Sequence, residues 1–415
     1  DRPALVCSVS NPPPCPTPMI TTATPEVIGR HFRTGRPVRW ELAEGRIAAA
    51  DACTLDAAHT NQLPWVAPGF VDVQVNGFGG QEFSSLELPA EKVAKISDAL
   101  AAFGVTQYCP TVTTASRDTI LHAVKTIDDA CRRWPRVDHA IAGIHVEGPY
   151  LSPDDGPRGA HPREHCRPPD WNEFRAFQDA AAGRIRIVTL AAEYPESCRF
   201  IEHATADGIV VAIGHTAANS DQIRAAVDAG ARLSTHLGNG AHRELRRHPN
   251  YLWDQLAEDR LMASLIVDGH HLPPEVVQTF VRAKSAERCL LVSDLSGLAG
   301  LPPGRYETAL CELEILDDGR LVIAGQDQLL AGASAPIGVG IANVMRFAGV
   351  ELATAVDMAA TRPAHLLGRA ENRLAPGDPA DLTLFDLTVD PSSGHDRLVV
   401  QKTIAAGSIV YDAGA

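Results

Sequence analysis

The chain has 415 residues, of which 45% are hydrophobic and 21% charged, with a formal net charge of −14. Such a length exceeds one small core and predicts a large unit with a smaller companion. No apolar run approaches the ~20 residues of a membrane span, and the acidic balance argues against broad binding to nucleic-acid phosphates. An anionic small molecule is still compatible with it, because a local basic cluster outweighs distant exposed charge.

Residues 1–24 are rich in Pro, Thr and Ser and lack the three-part pattern of a signal peptide, so they read as a disordered extension. The nine cysteines are odd in number and contain no Cys-x-x-Cys pair, as expected of thiols in a reducing cytoplasm. Between residues 27 and 50, short apolar runs are broken by Gly29, Gly35, Pro37 and Gly45, the pattern of a meander of short strands. The stretch from Trp40 to Ile47 reads as two strand pieces around a turn. At the far end, residues 380–387 alternate polar with apolar, and 399–404 and 407–411 are also strand-like. The two ends, 25–64 and 373–415, are predicted to pair into one small β domain.

The middle of the chain, 65–372, alternates apolar runs with helical patterns. The runs are 65–75, 104–112, 139–146, 185–191, 208–213, 231–235, 261–267 and 288–293. Helical periodicity falls at 90–103, 117–133, 170–181, 197–206, 220–229, 274–284 and 352–365. Eight runs separated mostly by helices predict the fold class: an α/β chain with a (β/α)8 TIM-type barrel and a small β-sandwich domain built from both chain ends.

In such a barrel the chemistry gathers at the carboxyl ends of the strands. The buried run 140–144 continues into His145-Val146-Glu147 and breaks at Gly148-Pro149. Two later runs end in Gly214-His215-Thr216 and Thr235-His236-Leu237. One glutamate and two histidines from three strand ends can hold a metal ion and leave a position open for water. Taken singly, each of these residues is ordinary: a capping glutamate, a hydrogen-bonded polar histidine. His145 reads as part of the barrel wall.

The first run ends in Gln74-Val75-Asn76, and here the chain resembles the amidohydrolase superfamily, whose first strand usually ends in a His-x-His metal pair. Neutral amides are poor ligands beside imidazole, so a second metal position is not expected. The Gln-x-Asn substitution, with His-Val-Glu-Gly-Pro after it, is similar to that of the N-acetylglucosamine-6-phosphate deacetylases. The likeness covers roughly residues 65–370 and is looser in the flanking β domain.

That resemblance implies one divalent ion on Glu147, His215 and His236, zinc first, with Fe2+, Co2+ or Mn2+ as alternatives. It implies that Asp294, ending the eighth run, is general base and then general acid. His161, in Arg158-Gly159-Ala160-His161, would donate a hydrogen bond to the acetyl carbonyl. Gln74, Gly148, Asn239, Gly240 and His271 would contact substrate, the last three near its phosphate. Gly240 stands where alanine is usual. Arg247 falls where the family has an arginine that reaches the phosphate of the neighbouring subunit; a solvated basic loop is the other reading of that stretch. Leu330 lies in a loop resembling the one beside the acetyl group. The implied enzyme is a cytoplasmic homodimer that removes acetyl from N-acetylglucosamine 6-phosphate. The rival readings are an amidohydrolase for an unphosphorylated N-acetyl amino sugar or an N-acyl amino acid, and a sugar-binding barrel without catalysis.

Overall fold

The computed structural model describes residues 26–308, 312–326, 330–391 and 394–415. The expected extension, residues 1–24, lies outside them, as do Cys7, Cys15, Cys311 and Leu329.

Eight parallel strands in consecutive order form the barrel: Phe70–Val75, Val105–Thr113, Ile144–Glu147, Ile185–Leu190, Val210–Ile213, Leu233–Ser234, Met262–Leu265 and Cys289–Leu291. Closure is made just beyond the eighth strand, where Leu295 bridges in parallel to Val75. Asp294 N donates to Gln74 O at 3.0 Å and Asn76 N to Leu295 O at 2.8 Å. The first and last strands are thus joined at the level where the candidate site residues stand. Val71, Val73, Ile187, Ala212, Leu233 and Leu290 pack inside the barrel. Outside it, helices lay apolar stripes on the strands, as Arg117–Arg133 does with Ile120, Ala123, Val124 and Ile127.

Strands from both chain ends join in a seven-stranded sheet, as expected. Its order is Ser408–Asp412, Asp396–Ala405, Leu382–Val389, Trp65–Pro68, Glu26–His31, Pro37–Ala43, Arg46–Ala52. Thr383 Oγ1 and Thr403 Oγ1 donate to the carbonyls of Gly104 and Ala101, each at 2.7 Å, which ties this sheet to the turn leading into the second barrel strand.

Several details depart from the sequence expectation. The run 65–75 is two strands, not one: Trp65–Pro68 belongs to the terminal sheet and only Phe70–Val75 to the barrel. The break falls at Gly69, where a Cβ would stand 2.1 Å from Thr106 Oγ1. The run 139–146 begins inside a short helix, Pro135–Ala140, because Pro135 sits in its first turn, where its fixed φ favours a helix. The segment 352–365 is two helices, Leu352–Ala359 and Thr361–Leu366, parted at Ala360 just ahead of Pro363. The helix Ile337–Ala348 was not anticipated; Gly338 and Gly340 weaken its local signal, and the close approach of Leu398 to Gly338 explains why a small residue stands there. Also unanticipated is a three-stranded sheet, Gly304–Glu307, Glu312–Ile315 and Leu321–Ile323, with its own core of Leu298, Leu313, Ile315 and Leu321.

The tight seat at Gly69 carries a prediction. Gly69→Ala is expected to cost about 1–3 kcal/mol through overpacking. A lowered melting temperature that Thr106→Ala partly restores is the expected result; an unchanged melting temperature contradicts it.

Candidate active site

Glu147 ends the third barrel strand, while His215, His236 and Asp294 stand two or three residues beyond the fifth, sixth and eighth. All four are buried. The chain turns sharply at each later position: His215, His236 and Asp294 have φ values of 50°, 29° and 53°. Side chains rarely adopt this left-handed region, and holding one there costs on the order of 1–3 kcal/mol. The turn breaks the in–out alternation of the strand and swings three side chains together over the barrel mouth. Gly214 permits one of these turns, since a Cβ there would stand 2.8 Å from both Thr189 Cγ2 and Thr235 Cβ.

The three expected ligands converge. His236 Nε2 lies 3.0 Å and His215 Nε2 3.2 Å from Glu147 Oε1, and the two ring nitrogens are 3.0 Å apart. Among the described residues this is the cluster of histidine, cysteine or carboxylate groups close enough to share a metal ion. His215 Nδ1 donates to Pro157 O at 2.8 Å, which leaves its Nε2 as a bare lone pair aimed at the other two donors when the ring is neutral. Donors spaced this way match the edges of a coordination shell with bonds of about 2.0–2.2 Å, the zinc–nitrogen and zinc–oxygen lengths. The residues present therefore fit one borderline divalent ion.

Burial opposes ionisation of Glu147, but hydrogen bonds and charge from His215 and His236 outweigh it and hold the carboxyl well below its usual range. Asp294 is pushed up to about 6, first by burial and then by repulsion from Glu147. His161 points its Nε2 at His215 Nε2, 3.2 Å away, and burial followed by the neighbouring histidines pushes it down to about 3, which favours the neutral imidazole. His145, as expected, lies in the barrel wall, with Nδ1 against Val73 O at 3.1 Å and Nε2 against Thr189 Oγ1 at 2.8 Å.

The two amides at the end of the first strand have a clear task. Gln74 Nε2 donates to Glu147 Oε2 at 3.1 Å, and Asn76 Nδ2 donates to Asp294 Oδ1 at 2.8 Å. Each amide clamps one carboxylate oxygen and leaves the other to the mouth. Asn76 was noted in the sequence as a poor ligand, not as a donor; only the closure of the barrel brings it to Asp294.

Above these groups opens a cleft of about 720 Å³. Of the residues named from sequence, Glu147, His161, His215, His236, Asn239, Gly240, His271, Asp294 and Leu330 line it. Gln74 and Gly148 do not: Gln74 is buried beneath Glu147, and Gly148 is pressed so closely to Thr114 that a Cβ would meet Oγ1 at 2.1 Å. Arg247 is exposed and outside the lining of its own cleft. His271 Nδ1 pairs with Asp268 Oδ2 at 2.7 Å, which fixes the ring at the cleft edge. Gly240 departs from alanine for a local reason: its φ is +56° and a Cβ would stand 2.6 Å from His215 Nδ1.

Sequence reasoning passed over Arg158, Arg243 and His270, which also line the cleft. Arg158 is held by Asp155 and by the carbonyl of His161, each at 2.7 Å. Arg243 lay within the basic stretch in which Arg247 alone was given a role. Leu313 and Gln326 reach the lining from the unanticipated insertion after the eighth strand, and no local motif marks them.

The amidohydrolase family model matches residues 65–410. The chain is 33% identical over 364 residues to a human N-acetylglucosamine-6-phosphate deacetylase, with 84% of each chain covered. It is 31% identical over 348 residues to an N-acetylgalactosamine-6-phosphate deacetylase of Escherichia coli O157:H7, covering 83% of this chain and 89% of the relative. A solved structure of a Mycobacterium smegmatis N-acetyl-D-glucosamine-6-phosphate deacetylase variant, in complex with N-acetyl-D-glucosamine-6-phosphate, superposes with a TM-score of 0.81 at 30% identity, covering 94% of this chain and 99% of that one. With the family model spanning most of the chain and such relatives matching nearly as much, the chain belongs to the amidohydrolase family and, within it, to the N-acetylglucosamine-6-phosphate deacetylases.

Proposed function

We propose that this chain hydrolyses the acetamide of N-acetylglucosamine 6-phosphate to glucosamine 6-phosphate and acetate. The observation that carries the reading is the meeting of Glu147, His215 and His236 within 3.2 Å of one another, with Asp294 lining the same cleft. The named activities of the human and mycobacterial relatives support it, and that of the Escherichia coli relative, named for the galactosamine epimer, supports deacetylation of an amino-sugar phosphate.

Glu147, His215 and His236 would hold one divalent ion, which we take to be zinc. When bound, it supplies Lewis acidity, polarising the acetyl carbonyl and lowering the pKa of water. Asp294 takes the proton of the attacking water and later delivers it to the departing nitrogen. Asn76 holds Asp294 Oδ1 at 2.8 Å, which orients the second carboxylate oxygen for this transfer. His161, buried and neutral, donates to the acetyl oxygen as negative charge develops there. Asn239, Gly240 and His271 receive the sugar phosphate, and Leu330 borders the acetyl group.

We extend the proposal to a cytoplasmic homodimer in which Arg247 reaches the partner's cleft. Its exposure outside its own cleft supports that arrangement, and a guanidinium fork suits a phosphate. The cysteines among the described residues are unpaired, which fits a reducing compartment. No described helix is long and apolar enough to cross a membrane.

Three measurements test these roles. Asp294→Asn should lower kcat by about 10²–10⁴-fold while zinc content per chain stays near that of the unaltered protein; full turnover in the variant would refute the proton transfer. Arg247→Ala should raise KM for N-acetylglucosamine 6-phosphate and leave that for N-acetylglucosamine unchanged; equal effects on both would remove the phosphate contact. Chelation should abolish acetate release and lower the melting temperature, since a ligand that binds only the folded chain stabilises it, and zinc should restore both.

A further inference from the structure

His215 holds a left-handed backbone with its side chain in the ligand set, and such a turn persists only where its surroundings leave it no alternative. The ring is well fixed. Pro157 O accepts from Nδ1, and the backbones of Gly159 and Gly240 lie against the imidazole so closely that built Cβ atoms would meet it at 3.3 and 2.6 Å. Holding the ring does not hold the backbone. Ser152 N donates to the carbonyl of His215 at 3.0 Å, and the chain that follows must also be stopped from relaxing toward an extended course.

That hold comes from a carboxylate no motif had singled out. Glu193 lies just beyond the fourth barrel strand, Ile185–Leu190. Its Oε2 accepts from Thr216 Oγ1 at 2.5 Å and its Oε1 from Ala217 N at 3.0 Å. The two residues directly after His215 are thereby tied, side chain and main chain, to one carboxylate. Thr216 is nearly fully buried, and its oxygen accepts from Ala192 N and Ala218 N, both at 3.2 Å. With those two donors already on the oxygen, the hydroxyl proton is directed to Glu193. The carbonyl of Glu193 is anchored in turn, accepting from Gln222 Nε2 at 3.1 Å at the start of helix Ser220–Asp228. Glu193 does not line the cleft.

We propose that Glu193 is a positioning residue for the metal centre, acting on His215 through Thr216 and Ala217. The inference rests on the reading of Glu147, His215 and His236 as the metal-holding set. Hydrogen-bond partners behind a ligand commonly govern metal affinity by about 10–100-fold, and here the partner fixes a ligand's backbone turn instead of its ring. The carboxylate suits the task because it offers two acceptors to two donors, whereas a carboxamide offers one.

Zinc dissociation constants, measured by competition with a chromophoric chelator, test it. Glu193→Ala should weaken zinc binding by about 10–100-fold, and Glu193→Gln, which keeps one acceptor, by less. Thr216→Val should weaken it too, and the double variant Glu193→Ala/Thr216→Val should lose less than the product of the two single effects. A general packing role would instead lower the melting temperature of the metal-free protein and leave the zinc affinity of the folded chain unaltered. That outcome, or independent effects of the two substitutions, overturns the proposal. Should the unaltered chain bind no zinc, the reading of the ligand set fails first, and the comparison separates that failure from this one.

Discussion

Three donor atoms from distant parts of the sequence are forced to within 3.0–3.2 Å of one another in a buried place. Left to itself, that arrangement is unfavourable. Two ring nitrogens face each other and a carboxylate is removed from water, so each group loses hydration that its neighbours only partly replace. The molecule tolerates it because the third, fifth and sixth strands belong to one closed sheet whose hydrogen bonds leave little freedom at their carboxyl ends. A cation seated among the donors would turn the same crowding into an attraction.

The supporting parts follow from that constraint. Left-handed turns at His215, His236 and Asp294 aim the side chains, and their cost is met by the packing of the whole barrel. Gln74 and Asn76 hold the outer oxygens of Glu147 and Asp294, so both carboxylates keep a single orientation. These two amides stand where related barrels carry histidines, and here they act as hydrogen-bond donors to the site. The downward push on His161, from burial and then from its histidine neighbours, fits the same constraint: an imidazolium beside the three donors would repel a cation seated among them.

The cleft wall is assembled from several loops, not from one motif. Asn239, Gly240 and Arg243 come from the loop after the sixth strand, His271 from the loop after the seventh, and Leu313, Gln326 and Leu330 from the insertion beyond the eighth. This division separates functions physically. Strand ends carry Glu147, His215, His236 and Asp294, while loops, which tolerate change more readily, form the rest of the cleft wall. The terminal sheet contributes nothing to the lining of the cleft and braces the barrel through Thr383 and Thr403.

The sequence by itself determined the eight barrel strands, most of their helices, the pairing of the chain ends and the placing of Glu147, His215 and His236 where apolar runs end, whereas Asp294 was picked out by the family resemblance. All but the last rest on local signals: apolar runs of strand length, helical periodicity, and polar residues placed where a run breaks. Only the tertiary structure decided that Asn76 meets Asp294, that Glu193 grips the chain beyond His215, that Gln74 and Gly148 lie beneath the cleft instead of in it, and that Arg243 lines its own cleft while Arg247 does not. It also decided that residues 65–75 divide between two sheets at Gly69. The reason is the same in each case: these relations join positions remote in the chain, set by barrel closure and by steric contacts such as Gly69 against Thr106, and no pattern of neighbouring residues encodes a distance across a fold.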